Sequence, residues 1–406
     1  MNIKEKLNFL DQISTPHKVP ATKKETPFEI DKVVYGKYIN STFIATYKVP
    51  IEEQHGSIAL KQANDISQQY LAIAGKDERL IDFDVKKSLF FDTETTGLSG
   101  GSGTYIFLAG FGYFEDNFFI IKQFFLPDLP AESEMLKSIH ELLSRFNNLV
   151  TFNGKSYDWP LLKDRFIINR IKNINKNPLH LDLLHASRRI WKNSLPDCSL
   201  TTIEKFKLNI QRSGDVPSFM IPQLYFNYLR DRDSRPLKPV FYHNKIDILS
   251  MVSLMIRLAQ IHQEPLLQLN KNEELLSVAN HYQNMKTWNK NIPILKKIIA
   301  SEKNTFKKKE ISIQLGLSLK KIGKFSEAEK VWLNLINDGQ FRFEPYEELA
   351  KYYEHRSKDL NKAKQVVESA LKNIDYLEQL RPDNQLLLYK SRLNHRLLRL
   401  HKKLKI

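Results

Sequence analysis

A single cysteine, Cys198, stands among 406 residues. One thiol excludes a disulfide scaffold, a cysteine-based zinc cluster and an iron–sulfur centre, and it points to a reducing, cytoplasmic setting. Long apolar runs are missing too. No stretch approaches the roughly 18 uninterrupted apolar residues of a membrane-spanning helix, so no membrane is expected among the partners. The first residues, from Met1-Asn-Ile-Lys-Glu-Lys onward, lack the apolar core of a secretory signal. Acidic residues are in deficit, 46 against 62 Lys and Arg, for a net charge of +16. Nucleic acid is the leading partner for that excess, ahead of an anionic membrane surface or an acidic protein. What is plentiful is apolar side chain. At 42% hydrophobic and 11% aromatic the chain can build real cores, so a wholly disordered polymer is excluded. Its length suits two or three domains of roughly 100–200 residues.

The pattern divides the chain. Residues 1–85 read as an arm with Pro16, Pro20 and Pro27, then short strand-like pieces such as Ser41–Val49 that the sequence leaves unplaced. Residues 86–262 alternate strand and helix signals. Ser88–Phe91, Thr104–Tyr113 and Phe118–Leu126 are strand-like, the last two joined by the turn Glu115-Asp116-Asn117. Pro130–Phe146 carries apolar residues at helical spacing, Leu149–Phe152 is a strand, and Trp159–Ile168 is a helix. This order predicts an α/β domain with a mixed central sheet. From 270 to 406 only helices are predicted, in pairs. Ala328 and Ala363 hold matching places 35 positions apart, near the period of tetratricopeptide repeats, with a plain helical bundle as the alternative. The last helix interleaves Lys390, Arg392, Arg396, Arg399, Lys402, Lys403 and Lys405 with leucines. It reads as an apolar face opposite a basic one, suited to a nucleic-acid track or a partner's docking surface.

Three segments carry chemistry. In Leu89-Phe-Phe-Asp92-Thr-Glu94-Thr-Thr-Gly97 two carboxylates lie two apart on a strand, hence on one face. Close carboxylates raise each other's pKa unless a cation lies between them, and a hard, oxygen-seeking Mg²⁺ or Mn²⁺ suits that place. Alone, an Asp-x-Glu is more often a solvated strand end. The second segment, Leu149-Val-Thr-Phe-Asn153-Gly-Lys-Ser-Tyr157-Asp158, runs from a strand to an acid at a helix start, where a plain helix cap is the alternative. The third, Tyr242-His243-Asn-Lys-Ile-Asp247, sets His243 and Asp247 about 40° apart on one helical face. The glycines at 97, 100, 101 and 103 lack a Gly-Lys-Ser/Thr ending and so do not form a nucleoside triphosphate loop.

Taken together, these segments resemble the three exonuclease motifs of the DEDD superfamily, which has a ribonuclease H-like fold. More closely, the stretch from about 87 to 262 resembles the bacterial YprB family of ribonuclease H-like proteins, whose members often carry a C-terminal tetratricopeptide-like region. The supporting segments are Phe91-Asp-Thr-Glu-Thr-Thr-Gly, His180-Leu-Asp-Leu-Leu-His185, Cys198-Ser-Leu-Thr-Thr-Ile-Glu204 and His243-Asn-Lys-Ile-Asp247. The resemblance implies that Asp92, Glu94, Asp158 and Asp247 hold two divalent ions about 3.5–4 Å apart. It also implies a metal-dependent 3′→5′ exonuclease acting on single-stranded DNA or RNA. Three residues separate the tyrosine base from the last Asp in one subclass, and four separate the histidine base in the other. Here His243 stands in the tyrosine register and Tyr242 in the histidine register. His243 is the favoured base, since an imidazole near its ordinary pKa of about 6.5 suits proton abstraction at neutral pH. Thr93, Thr95, Gly97, Asn153 and Tyr157, interleaved with the acids, are expected to meet nucleic acid. Asp182 is expected to be a structural cap ahead of a support for the metal site, Arg188 and Arg189 stay open between pairing with phosphates and capping a helix, and Trp159 is expected in the core ahead of stacking on a base. Two other readings stay open: a non-catalytic adaptor that binds nucleic acid and recruits a protein through its repeats, and an endonuclease on RNA–DNA hybrids.

Overall fold

The computed structural model describes residues 28–97, 103–172, 178–338, 341–380 and 383–405. The proline-bearing arm before Phe28, and Gly100 and Gly101, lie outside the described residues. A seven-stranded sheet forms the centre. Its strands are β1 (Gly36–Ile39), β2 (Thr42–Pro50), β3 (Ser88–Thr95), β4 (Ile106–Glu115), β5 (Phe118–Phe125), β6 (Asn148–Thr151) and β7 (Leu179–Asp182). Their order across the sheet is β1-β2-β5-β4-β3-β6-β7. Pairings from β1 to β3 are antiparallel, and β6 and β7 run parallel to β3. The β4–β5 hairpin turns on Asp116 and Asn117, and Asp116 takes a φ of 52°, as a tight hairpin requires. Of the unplaced early strands, β1 and β2 are part of this sheet, while Gln54–His55 and Ile58–Ala59 pair separately. β2 pairs with β5 along its whole length, from Phe43 opposite Phe125 to Pro50 opposite Phe118.

Both faces of the sheet are covered, which is why its central strands are apolar on both sides. One face packs under α2 (Glu132–Leu143), α3 (Asp158–Ile168) and α5 (Ile221–Asp231), with Leu89, Phe91, Phe111 and Phe124 in its core. A buried pair joins two of these helices, Arg165 donating to Glu132 through Nε and Nη2 at 2.6 Å each. The other face packs under α1 (Gln68–Gly75), α4 (Leu183–Trp191) and the 26-residue α6 (Lys238–Gln263), with Phe90, Phe119, Val150 and Ile248. Each large apolar side chain so buried contributes about 1.5–3 kcal/mol.

The second core continues into an all-helical region. It comprises α7 (Asn272–Asn284), α8 (Trp288–Ser301), α9 (Thr305–Lys321), α10 (Phe325–Asn337), α11 (Phe343–His355), α12 (Leu360–Leu380) and α13 (Asn384–Leu404). Each packs on the next in chain order. Ala328 and Ala363 are both fully buried where paired helices meet. The helical region is fastened to the sheet domain by His281, whose Nε2 lies 2.8 Å from the Ile73 carbonyl, and by Glu274, which accepts from Ser194 Oγ at 2.9 Å.

The basic face expected on the last helix is differently used. Glu354 of α11 has a fully buried side chain and accepts from Arg396 (2.6 Å), Arg399 (2.6 and 2.7 Å) and Lys403 (2.8 Å) of α13. Arg392 pairs with Glu347, and Lys390 with Asp375 and Glu378. These cations fix α13 to its neighbours, so the expected electrostatic track is largely neutralised from within. No helix among the described residues is long and apolar enough to cross a membrane.

Candidate active site

Asp92 and Glu94 lie on the central strand β3, opposite Gly110 and Leu108 of β4. The pairing of β3 with β4 slips between Glu94 and Thr95, a bulge of the kind that re-aims a side chain. Both acids are reached by solvent only in part and are closely surrounded by protein. Asp158 is buried and begins α3. It is the first helical residue, and Tyr157 holds the cap position expected for it. The Thr93 hydroxyl donates to Asp158 Oδ1 and so ties α3 to β3 between the two strand acids. Asp182 positions the preceding loop. It accepts from the backbone amides of Asn153 (3.0 Å) and Lys155 (3.1 Å) while capping α4 at Leu184 N (3.0 Å).

The third motif arrives on α6, and two glycines let it come close. A Cβ at Gly110 would meet Asn244 Oδ1 at 2.1 Å, and one at Gly112 would meet Ile248 Cγ2 at 2.5 Å. Asn244, between His243 and Asp247 in sequence, donates from Nδ2 to Asp92 Oδ2 at 2.8 Å. Its Oδ1 accepts from the buried Gln123 Nε2 at 2.9 Å, which also bonds the Phe241 carbonyl. A chain of amides thus fixes Asp92 against α6. The sequence reading assigned nothing to Gln123, Asn244 or Gly110. The only local signal was a pair of glycines inside the apolar run Ile106-Phe-Leu-Ala-Gly-Phe-Gly.

Charge shows how the acids sense one another. Burial, then the charges of Asp247, Glu94 and Asp158, push the Asp92 carboxyl well above the usual carboxylate range, against the pull of Asn244. Burial pushes Glu94 up to about 8; the His243 charge opposes this, and Asp247 and Asp158 add to it. Burial lifts Asp158 to about 6 despite the Thr93 hydrogen bond. Among the described residues no Lys or Arg is ion-paired to any of these three. Asp247 differs, for its Oδ1 accepts from Arg212 Nη2.

His243 Nδ1 lies 2.8 Å from Asp215 Oδ1, and its Nε2 lies 3.7 Å from Asp247 Oδ2. Burial alone would lower this imidazole, but the Asp215 hydrogen bond and the charges of Asp247 and Glu94 outweigh it and hold the pKa at about 9. The ordinary value near 6.5 assumed for a base is therefore not that of the ion-free protein. Tyr242 points elsewhere, its hydroxyl accepting from the Ser213 amide at 3.4 Å. Of the residues expected to meet nucleic acid, several are committed internally. Thr93 is buried against Asp158, while Thr95 Oγ1 and the Tyr157 hydroxyl both donate to the Gly97 carbonyl, at 2.8 and 2.6 Å. Asn153 alone of them stands exposed, at a φ of 67°. Trp159 is core, Arg188 is exposed, and Arg189 donates to the Ala74 carbonyl.

Asp92, Glu94, Asp158 and Asp247 are the groups that could hold a cation. Among the described residues no three acids or histidines close around one point tightly enough to form a metal cage as they stand. The donor set nevertheless fits a divalent ion in kind. It is made of oxygens alone, and burial with the charges of neighbouring acids raises Asp92 and Glu94, against the opposing charge of His243 at Glu94.

Residues 89–259 match the family described as RNase_H superfamily. The chain is also 35% identical over 294 residues to a Bacillus subtilis (strain 168) protein, "Uncharacterized protein YprB", an alignment covering 71% of this chain and 70% of that one. The mixed sheet and this identity agree: the chain carries a ribonuclease H-superfamily domain over residues 89–259 and belongs to the family of YprB.

Proposed function

We propose that this protein is a metal-dependent nuclease that removes nucleotides from the 3′ end of single-stranded nucleic acid. The observation that carries the reading is the convergence of Asp92, Glu94 and Asp158 from one strand and one helix start, Asp92 and Glu94 raised by burial and by the charges of neighbouring acids and Asp158 chiefly by burial. Groups so placed are unfavourable as bare carboxylates and favourable as ligands. Bound there, Mg²⁺ or Mn²⁺ would activate water and stabilise charge at the leaving oxygen. The chain's own residues do the rest. Asn244 and Thr93 orient Asp92 and Asp158, and His243, held by Asp215, presents Nε2 toward the acids as the group to accept or return a proton. A cation nearby would lower the imidazole from about 9 toward the range useful for that exchange. Exposed Asn153 remains the best placed of the expected nucleic-acid contacts.

A second reading has one observation in its favour. Asp247 is already paired with Arg212, as in a site that binds nucleic acid without cutting it. A 5′-labelled single strand, offered as DNA and as RNA with Mn²⁺, Mg²⁺ or EDTA, separates the two. The nuclease reading expects a ladder shortening from the 3′ end, lost with EDTA and reduced at least about 10²-fold in Asp92→Asn. Binding without cleavage in every metal would replace it with the adaptor.

A further inference from the structure

Arg212 is a buried cation that the motif residues do not account for. It lies in the loop after the short helical run Leu200–Leu208 with a side chain 7% exposed. Its Nε and Nη2 donate to the two oxygens of Glu204 at 2.6 Å each, and Nη1 donates to Asp215 Oδ2 at 3.1 Å. Nη2 also donates to Asp247 Oδ1, and Nη1 lies 3.3 Å from His243 Nδ1. One guanidinium thus touches the acid of the third motif, the imidazole beside it and the acid that holds that imidazole. Asp247 belongs with the strand acids. After burial its charge weighs most on Asp92, and among acids it weighs most on Glu94. Its other oxygen, Oδ2, lies 3.7 Å from His243 Nε2. The clamp is anchored from behind. Glu204 is 1% exposed and takes a further hydrogen bond from Ser250, whose hydroxyl lies 2.9 Å from His55 Nε2. His55 sits in the small hairpin of Gln54–His55 and Ile58–Ala59, outside residues 89–259 of the family match. That hairpin also grips the end of the helical run: the Ser57 amide donates to the Leu208 carbonyl at 2.9 Å, and a Cβ on Gly56 would come within 2.1 Å of the same oxygen.

Resting on the metal reading above, we propose that Arg212 is a positioning residue of this site. Its fork fixes one oxygen of Asp247 and one of Asp215, so that Asp247 Oδ2 and His243 Nε2 are held together beside Asp92 and Glu94. Charge alone does not define the task, because a lysine would supply the same charge. Four acceptor oxygens on Glu204, Asp215 and Asp247 need several donors in one fixed plane, which a guanidinium has and an ammonium lacks. Glu204, held in turn by Ser250 and His55, keeps that plane in place.

Two substitutions in the full chain test this. Arg212→Lys keeps the net charge and removes the fork, so it separates geometry from charge. Arg212→Gln removes a cation from beside Asp247, which by charge alone would tighten a divalent ion; loss of position should weaken it instead. Because Arg212→Gln leaves Glu204 buried without its partner, Arg212→Lys carries the test if that variant does not fold. Equilibrium dialysis against Mn²⁺ without substrate should show affinity about 10–100-fold weaker in each variant. Initial rates on a 5′-labelled single strand should show kcat lower by about the same factor, with KM within about three-fold, as when an interaction made only in the transition state is lost. An Arg212 that only stabilises the fold would lower the denaturation midpoint and leave Mn²⁺ affinity and kcat per folded molecule unchanged. That result, or tighter Mn²⁺ binding in either variant, would overturn the proposal while leaving the metal reading intact. No Mn²⁺ uptake and no cleavage by the wild type would remove both.

Discussion

Asp92 is held in place by Asn244, and Asn244 fits only because residue 110 has no side chain. A methyl group there would lie 2.1 Å from Asn244 Oδ1 and would push the amide off both Gln123 and Asp92. Gly110→Ala should therefore cost about 1–3 kcal/mol of stability through overpacking. It should also lower nuclease activity by about 10²-fold, because a misplacement near 1 Å in a catalytic group has that effect. Chemical denaturation and initial-rate assays on the same preparation check both halves. An active, stable Gly110→Ala would remove the amide chain from the account. The motif acids themselves were legible because each lies in a short local string of strand, turn or helix. Their supports were not. Asn244 meets Asp92 across 152 positions, and Arg212 meets Asp247 across 35. Glu204 stood in a segment that signalled the family, yet nothing local showed that it grips Arg212.

The elements show the same division between what periodicity carries and what only packing decides. Alternation and turn chemistry placed β4, β5 and β6 to within about two residues, whereas β3 was expected to end at Phe91 and runs on to Thr95. Pairing partners were not readable. β2 was readable as a strand but left unplaced, and contact with β5 makes it a member of the sheet. On α13 the apolar and basic faces were readable, but the acids that neutralise the basic face come from α11 and α12. Those acids are now the testable part. Glu354 is held down at about 2 because Arg399 and Lys403 overcome the effect of its burial. Glu354→Ala leaves three cations of α13 without their common partner. The loss should be about 2 kcal/mol, less than the roughly 3–5 kcal/mol of a wholly buried pair, because Arg399 and Lys403 are part exposed. Hydrogen exchange should localise the loss to α13, leaving β3 and α6 protected. Uniform deprotection of the whole chain would contradict a docking role.

At the scale of the molecule the raised carboxylates make stability depend on pH and on metal together. Glu94 stands at about 8 in the fold against an ordinary 4.5, and Asp158 at about 6 against 3.8. A group raised by folding stabilises fully below its unfolded pKa and ceases to do so as pH rises through its folded one. His243, raised from 6.5 to about 9, acts in the same direction. The contribution of these groups in the ion-free protein should therefore be lost between about pH 3.8 and about pH 9. A divalent ion held by the ionised carboxylates, as proposed, would oppose that loss. The gap between melting temperatures in Mn²⁺ and in EDTA should widen from about pH 5.5 to about pH 8.5. A gap independent of pH would mean that the ion does not sit on these acids.

The central claim concerns the end of a strand, and topology of the substrate tests it most directly. A linear single strand and a covalently closed circle of the same sequence would be given to the protein with Mn²⁺, as DNA and as RNA. The account predicts that the linear strand is shortened from its 3′ end while the circle stays intact. Cutting of the circle would contradict it and make the protein an endonuclease.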